Sequence, residues 1–192
     1  IGFLLIGACS AVEAGVVATF GHGGLEAGLV LAVFSVGSLA GGLAFGHIPI
    51  SPWAMARRLT VVAVGLVLAT LFVGDLSPQT PWWVGACLIV AGVGVAPALA
   101  VMFAMTSASV KFSETAEAYG WIGTGQLIGA ALGSAVAGFL IDGVGPAGAY
   151  AAAAGFAMVG ALVSVGFVRG FPDLRGRDAS PIPDTEPVPI IT

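Results

Sequence analysis

Charge is what this chain has least of. Only 8% of its 192 residues are Asp, Glu, Lys or Arg, against 58% hydrophobic. A soluble domain carries about a quarter charged residues, so this composition cannot cover a globular surface in water and suits a lipid bilayer instead. Six Lys and Arg make no basic patch, which excludes nucleic acid as a partner. Cysteine is equally scarce: Cys9 and Cys87 both lie in apolar runs, read as small buried side chains, and offer neither a disulfide framework nor a thiolate metal site. The two histidines, His22 and His47, fall in loops on opposite sides of a membrane and cannot form a metal pair. No G-x-S-x-G, H-E-x-x-H or Walker sequence is present, so the chain is not read as an enzyme, and no metal or cofactor is expected. The 30 glycines follow no G-X-Y period, which excludes collagen.

Long apolar runs are what the chain does have. At 1.5 Å per residue, about 20 residues cross a hydrocarbon core of roughly 30 Å. Six windows of that kind fall at about 1–20, 25–46, 59–74, 82–106, 118–141 and 147–168. The short connections leave no room for a soluble domain, and neighbouring helices should run antiparallel. The expected fold is therefore an all-α integral membrane protein of six transmembrane helices. Asp142-Gly143 reads as a turn, as does the segment from Pro78 to Pro81. Residues 169–192, with Pro172, Pro181, Pro183, Pro187 and Pro189, read as a disordered tail. The chain opens on Ile1 inside an apolar run, without the basic segment of a signal peptide, and reads as a fragment.

Lys and Arg are sorted by side. Arg57 and Arg58 form a basic loop between the second and third spans, Lys111 lies between the fourth and fifth, and Arg169, Arg175 and Arg177 follow the sixth. The other side carries His22, Asp75 and Asp142. The positive-inside rule then places both chain ends in the cytoplasm of a multi-pass plasma-membrane protein. Trp82-Trp83 and Tyr119 with Trp121 stand where interfacial aromatics belong.

Polar residues concentrate in four spans. The third and sixth hold almost none and can face lipid. The first carries Ser10 and Glu13, the second Ser35 and Ser38, the fourth a Gly92-x-Gly94-x-x-Pro97 interruption, and the fifth Thr124, Gln126 and Ser134. Two polar spans followed by an apolar one, repeated once, is the weak internal symmetry of a three-plus-three repeat. Small residues mark contact helices: Gly125, Gly129, Gly133 and Ala137 recur every fourth position, and Gly37 with Gly41 makes a shorter stripe, both allowing close backbone approach where lipid offers no hydrophobic drive. Pro97 removes a backbone donor and should bend the fourth helix, for gating or merely to fit a curved bundle.

Glu13 is the sharpest single residue. It lies about 10 Å below the outer end of the first span, close to the midplane, with no Lys, Arg or His inside any span to pair with it. A carboxylate so placed is expensive unless a wet cavity hydrates it or a proton neutralises it. It could take up a proton or meet a cationic substrate; alternatively it is neutral interhelical glue, bonded to Ser10 or to Gln126. Gln126 itself reads as packing or cavity lining.

The stretch Gly37-Ser38-Leu39-Ala40-Gly41-Gly42-Leu43-Ala44-Phe45-Gly46 followed by Arg57-Arg58-Leu59 resembles the second helix and basic loop in a half of a major facilitator superfamily transporter. Glu117-Ala118-Tyr119-Gly120-Trp121, then Gly129 to Gly138 and Asp142, is similar to the penultimate helix of its bacterial efflux-type members. The resemblance covers nearly all of 1–169 and matches the carboxy-terminal six of twelve helices. It implies that the first and fourth spans line a central cavity, the second and fifth pack on a missing amino-terminal six-helix half, and the third and sixth face lipid. Where the family's loop commonly carries an acidic residue, this chain has Gly46-His47-Ile48-Pro49. The implied function is ion-coupled export of a small organic compound, with protons as a candidate ion, by alternating access between two halves. Two other readings stay open: a self-contained six-span subunit that captures a substrate for an ATP-driven importer, and a non-transporting scaffold.

Overall fold

A computed structural model describes residues 1–21, 24–73 and 80–185, so His22, Asp75, the turn at Pro78, and Pro187 and Pro189 lie outside the described residues. Six helices follow one another: α1 (Gly2–Phe20), α2 (Leu25–Phe45), α3 (Ala54–Val73), α4 (Thr80–Ser107), α5 (Thr115–Val144) and α6 (Pro146–Gly166). All six contain a stretch long and apolar enough to cross a membrane.

Two boundaries differ from the sequence expectation for local reasons. The third helix begins at Ala54 rather than 59, so Arg57 and Arg58 are helical and not in a loop. Ser51-Pro52-Trp53 supplies the start: the Ala54 N–H donates to the Ser51 carbonyl at 2.9 Å and that of Arg57 to Trp53 at 3.1 Å, with Pro52 placed just ahead of the first turn, where its missing N–H costs nothing. The Asp142-Gly143 turn is likewise absorbed into α5. The chain reverses instead at Gly145, whose φ of 81° only glycine adopts without strain, and Pro146 opens α6.

Packing runs as an open chain of helices: α2 on α4, α4 on α3, α3 on α6, α6 on α1 and α1 on α5, with α5 also leaning on α6. The core of Leu5, Val12, Leu59, Leu66, Leu88 and Tyr150 lies among the four inner helices. The end members α2 and α5 bury only a stripe each: Ala27, Val30, Gly37 and Gly41 on one, Gly129, Gly133 and Ala137 on the other. Their remaining faces expose Leu29, Val36, Leu39, Leu127, Leu132 and Phe139.

The glycine stripes serve this internal chain. A Cβ on Gly37 would meet the Ile89 carbonyl oxygen at 2.6 Å, and one on Gly41 would overlap the Val93 backbone. One on Gly129 would overlap Phe3, and one on Gly133 would overlap Gly7. Each repeat's second helix thus lays two glycines, four residues apart, on the first helix of the other repeat, and the faint symmetry of the sequence becomes an explicit pseudo-two-fold. Gly125 departs from the expected stripe, since a Cβ there would meet nothing within 4 Å.

The tail expected to be disordered from 169 onward is held against the bundle through residue 185. The Leu174 N–H donates to the Ile50 carbonyl at 3.0 Å, Ile182 donates to Val110 at 2.9 Å, and Phe112 donates to Ile182 at 2.9 Å. Leu174 is buried, so a few apolar anchors in the tail offset its proline-rich composition. Asp184 accepts from the Ser113 N–H at 3.2 Å and its hydroxyl at 2.7 Å, which lowers the carboxyl below its ordinary 3.8. A lowered carboxyl favours the docked tail at pH above the ordinary value, and that contribution is lost as pH falls through the lowered one. A spin label at Ala179 is accordingly expected to be less mobile at neutral pH than in strong acid, and Asp184→Ala to raise its mobility at neutral pH toward the acid value; equal mobility of the two proteins at neutral pH would refute the contact.

Candidate functional site

On α1 the positions Leu5, Ala8, Val12 and Val16 are buried, and the opposite stripe of Ile6, Ser10, Glu13 and Val17 is turned away from the core. On α4 Ile89, Val90 and Ala100 are exposed and apolar, with the Ile89 backbone lying against Gly37 of α2. α5 flanks α1 and α2 flanks α4, while α1 and α4 touch each other little, and the Glu13 side of α1 is left open. Glu13 is exposed there and, among the described residues, is the charged helical residue farthest from a helix end, since Glu26, Arg57, Arg58, Glu117 and Asp142 all fall within the first or last five residues of their helices. With seven residues between it and the end of α1 at Phe20, its depth is about 10 Å, as expected.

Ser10 lies one turn from Glu13 on the same stripe. Gln126 does not join them. It packs at the other end of α1, where its Cγ would be 3.4 Å from a Cβ placed on Gly2. Gly2 and Glu13 are about 16 Å apart along the helix, beyond the reach of either side chain, so a Glu13–Gln126 bond is excluded by geometry. Among the described residues no side-chain hydrogen bond engages Glu13, Ser10 or Gln126. Gly125 helps to line a cavity of about 330 Å³ near the start of α1, with Gly2, Met102, Thr106, Trp121 and Ile122. A second carboxylate, Glu26, borders an apolar groove of about 320 Å³ between α2 and α4, formed with Leu29, Val33, Trp82, Gly85 and Ile89.

Hydroxyl counts proved a poorer guide than charge. Ser35 donates to Leu31 at 3.0 Å, Thr124 to Gly120 at 2.9 Å and Ser164 to Gly160 at 2.8 Å, each to the carbonyl one turn back. A hydroxyl satisfied by its own helix needs no protein or wet neighbour, even in lipid. A carboxylate has no such local remedy.

The α4 interruption is a crossing of three helices. A Cβ on Gly92 would overlap the Phe34 carbonyl of α2, and one on Gly94 would lie 2.6 Å from the Arg58 carbonyl of α3. Pro97 is fully buried within the continuous helix, and the Arg58 guanidinium Nη1 donates to its carbonyl at 2.7 Å. Sequence reading took Arg58 for an orientation signal alone. Its position one turn past the Ser51-Pro52 start, with a long stem able to reach back into the bundle, was the signal for this inward role. A hydrogen bond from a charged donor contributes about 1.5–3 kcal/mol, so Arg58→Ala is expected to destabilise by that amount in a detergent thermal melt, and Arg58→Lys by less; an unchanged melt in both would remove the contact.

Among the described residues no three His, Cys, Asp or Glu converge as metal ligands. A family model of the Major Facilitator Superfamily matches residues 2–190. No curated protein and no solved structure matches the chain.

Proposed function

Because the chain belongs to the Major Facilitator Superfamily and is a multi-pass membrane protein of transporter type, we propose that it forms the carboxy-terminal half of an ion-coupled exporter of small organic compounds. The observation that carries this reading is Glu13, a lone carboxylate exposed near mid-depth on the open face of α1. An amino-terminal six-helix half closes that face, with α2 and α5 offering their uncovered apolar sides as its seat. On α1 that face carries Glu13 and Ser10 among apolar side chains, which suits a lipophilic cation. Protons serve as the coupling ion, because a carboxyl group can bind either the proton or the cation and so exchange one for the other. The two halves rock about this midplane site. The sorting of Lys and Arg to one side supports an orientation with both ends of the chain in the cytoplasm and the bundle in the plasma membrane.

The test is transport by the intact protein in vesicles with an imposed pH gradient and a panel of lipophilic cations. Uphill accumulation that reverses direction when the gradient is inverted is expected. Flux indifferent to the gradient would overturn proton coupling, and no flux of any panel member would overturn the substrate class.

A further inference from the structure

Where α2 ends and α3 begins, a cavity of about 200 Å³ opens between the two helices over α4. Its walls are of two kinds. Phe45, Ile48, Val61 and Val93 make it apolar, while Arg57, Arg58 and Ser51 put two cations and a hydroxyl at its rim. Arg57 is exposed, and among the described residues neither arginine has a carboxylate partner. The tail passes close by, through the Leu174–Ile50 backbone bond, yet the neighbouring Asp173 is held by the Arg175 guanidinium, with its carboxyl drawn down to about 2. That carboxylate is thus already engaged. Phe45, Ile48, Trp53 and Val61 around the opening are exposed, as side chains that face lipid tails would be.

We propose that this cavity binds the phosphate headgroup of an anionic phospholipid, with Arg57 and Arg58 on the phosphate and the acyl chains running out over Phe45 and Val61. Positive charge calls for an anion, and the apolar walls favour an anion that brings its own hydrocarbon over a hydrated free phosphate. Arg58 reaches the Pro97 carbonyl at the same time. A bound headgroup therefore touches the residue that holds α3 against the buried proline of α4.

Trp53 stands in the turn between the lining residues Ser51 and Ala54, which gives the test its reporter. The intact protein, with Trp53 as its sole tryptophan, is placed in phosphatidylcholine vesicles carrying a minor fraction of brominated lipid. Brominated phosphatidylglycerol is expected to quench Trp53 at a fraction about fivefold lower than brominated phosphatidylcholine does, the factor that one cation contributes toward an anionic surface. Arg57→Gln should erase most of that preference, and Arg57→Lys should retain it while showing that the fold survives substitution. Equal quenching by the two lipids, or a preference unchanged in Arg57→Gln, would overturn the proposal. Relief of quenching by millimolar inorganic phosphate would assign the cavity to the free ion and overturn it as well.

Discussion

Glu13→Gln is expected to abolish uphill transport and to slow downhill exchange of a cationic substrate. The glutamine keeps the length of the side chain, its carbonyl acceptor and its position on the exposed stripe of α1. It loses the one capacity that no other side chain on that stripe supplies, which is to bind a proton in one state and a cation in the other. A proton moved per substrate across a gradient of one pH unit sustains about a tenfold concentration ratio. The wild-type protein should approach that ratio and the variant should stay near unity, with counterflow of preloaded cation reduced because the carboxylate that meets it is gone. Glu13→Asp should retain coupling, because it shortens the side chain without removing the proton-binding group. A glutamine variant that accumulates substrate at the normal ratio would end the coupling role, and one whose counterflow of a cationic substrate is unchanged would remove Glu13 from cation binding.

Much of this site could be read in the sequence because a charge in a span is rare and costly enough to stand out on its own. Glu13 required no partner to be noticed. What lies against it is a different kind of information: Gln126 shares the polarity of a cavity residue, and only the register of α5 on α1 puts it at Gly2, about 16 Å away along the helix. The helices were legible for a similar reason, since twenty apolar residues have few alternatives. The start of α3 was not, because two arginines look like a loop when hydropathy is the criterion, whereas Ser51-Pro52 and the Pro97 carbonyl make them part of the helix. The tail was misread through its prolines. Composition registers the average, and the tail is held by particular groups: Leu174, the backbone of Ile182 and the Asp184 carboxylate. The stripes on α2 and α5 were visible as patterns, but a pattern of small residues does not say which helix fills it.

That last distinction yields the largest structural effect. Gly41→Ala and Gly133→Ala are each expected to destabilise the bundle severely, because the added methyl lands on backbone: the Val93 carbonyl group in one case and that of Gly7 in the other. A side chain can rotate away from an intruding methyl; a helix backbone can yield only by moving the whole helix. Overpacking in a close-packed core costs typically 1–3 kcal/mol, and a collision with main chain belongs at or above the upper end. The two positions share no partner, so their effects should add, to about 6 kcal/mol for the double variant. Against a total stability on the order of 5–15 kcal/mol, that is enough to keep the double variant from accumulating as a monodisperse protein in detergent. Gly125→Ala and Gly138→Ala meet open space in the same helix. They should be neutral or slightly stabilising, since alanine is favoured over glycine in a helix by up to about 1 kcal/mol. If the stripes instead seated a partner outside this chain, all four glycines would tolerate alanine alike when these six helices are measured alone. A melt in which Gly41→Ala and Gly133→Ala match Gly125→Ala would therefore transfer the stripes from the internal crossings to an external one.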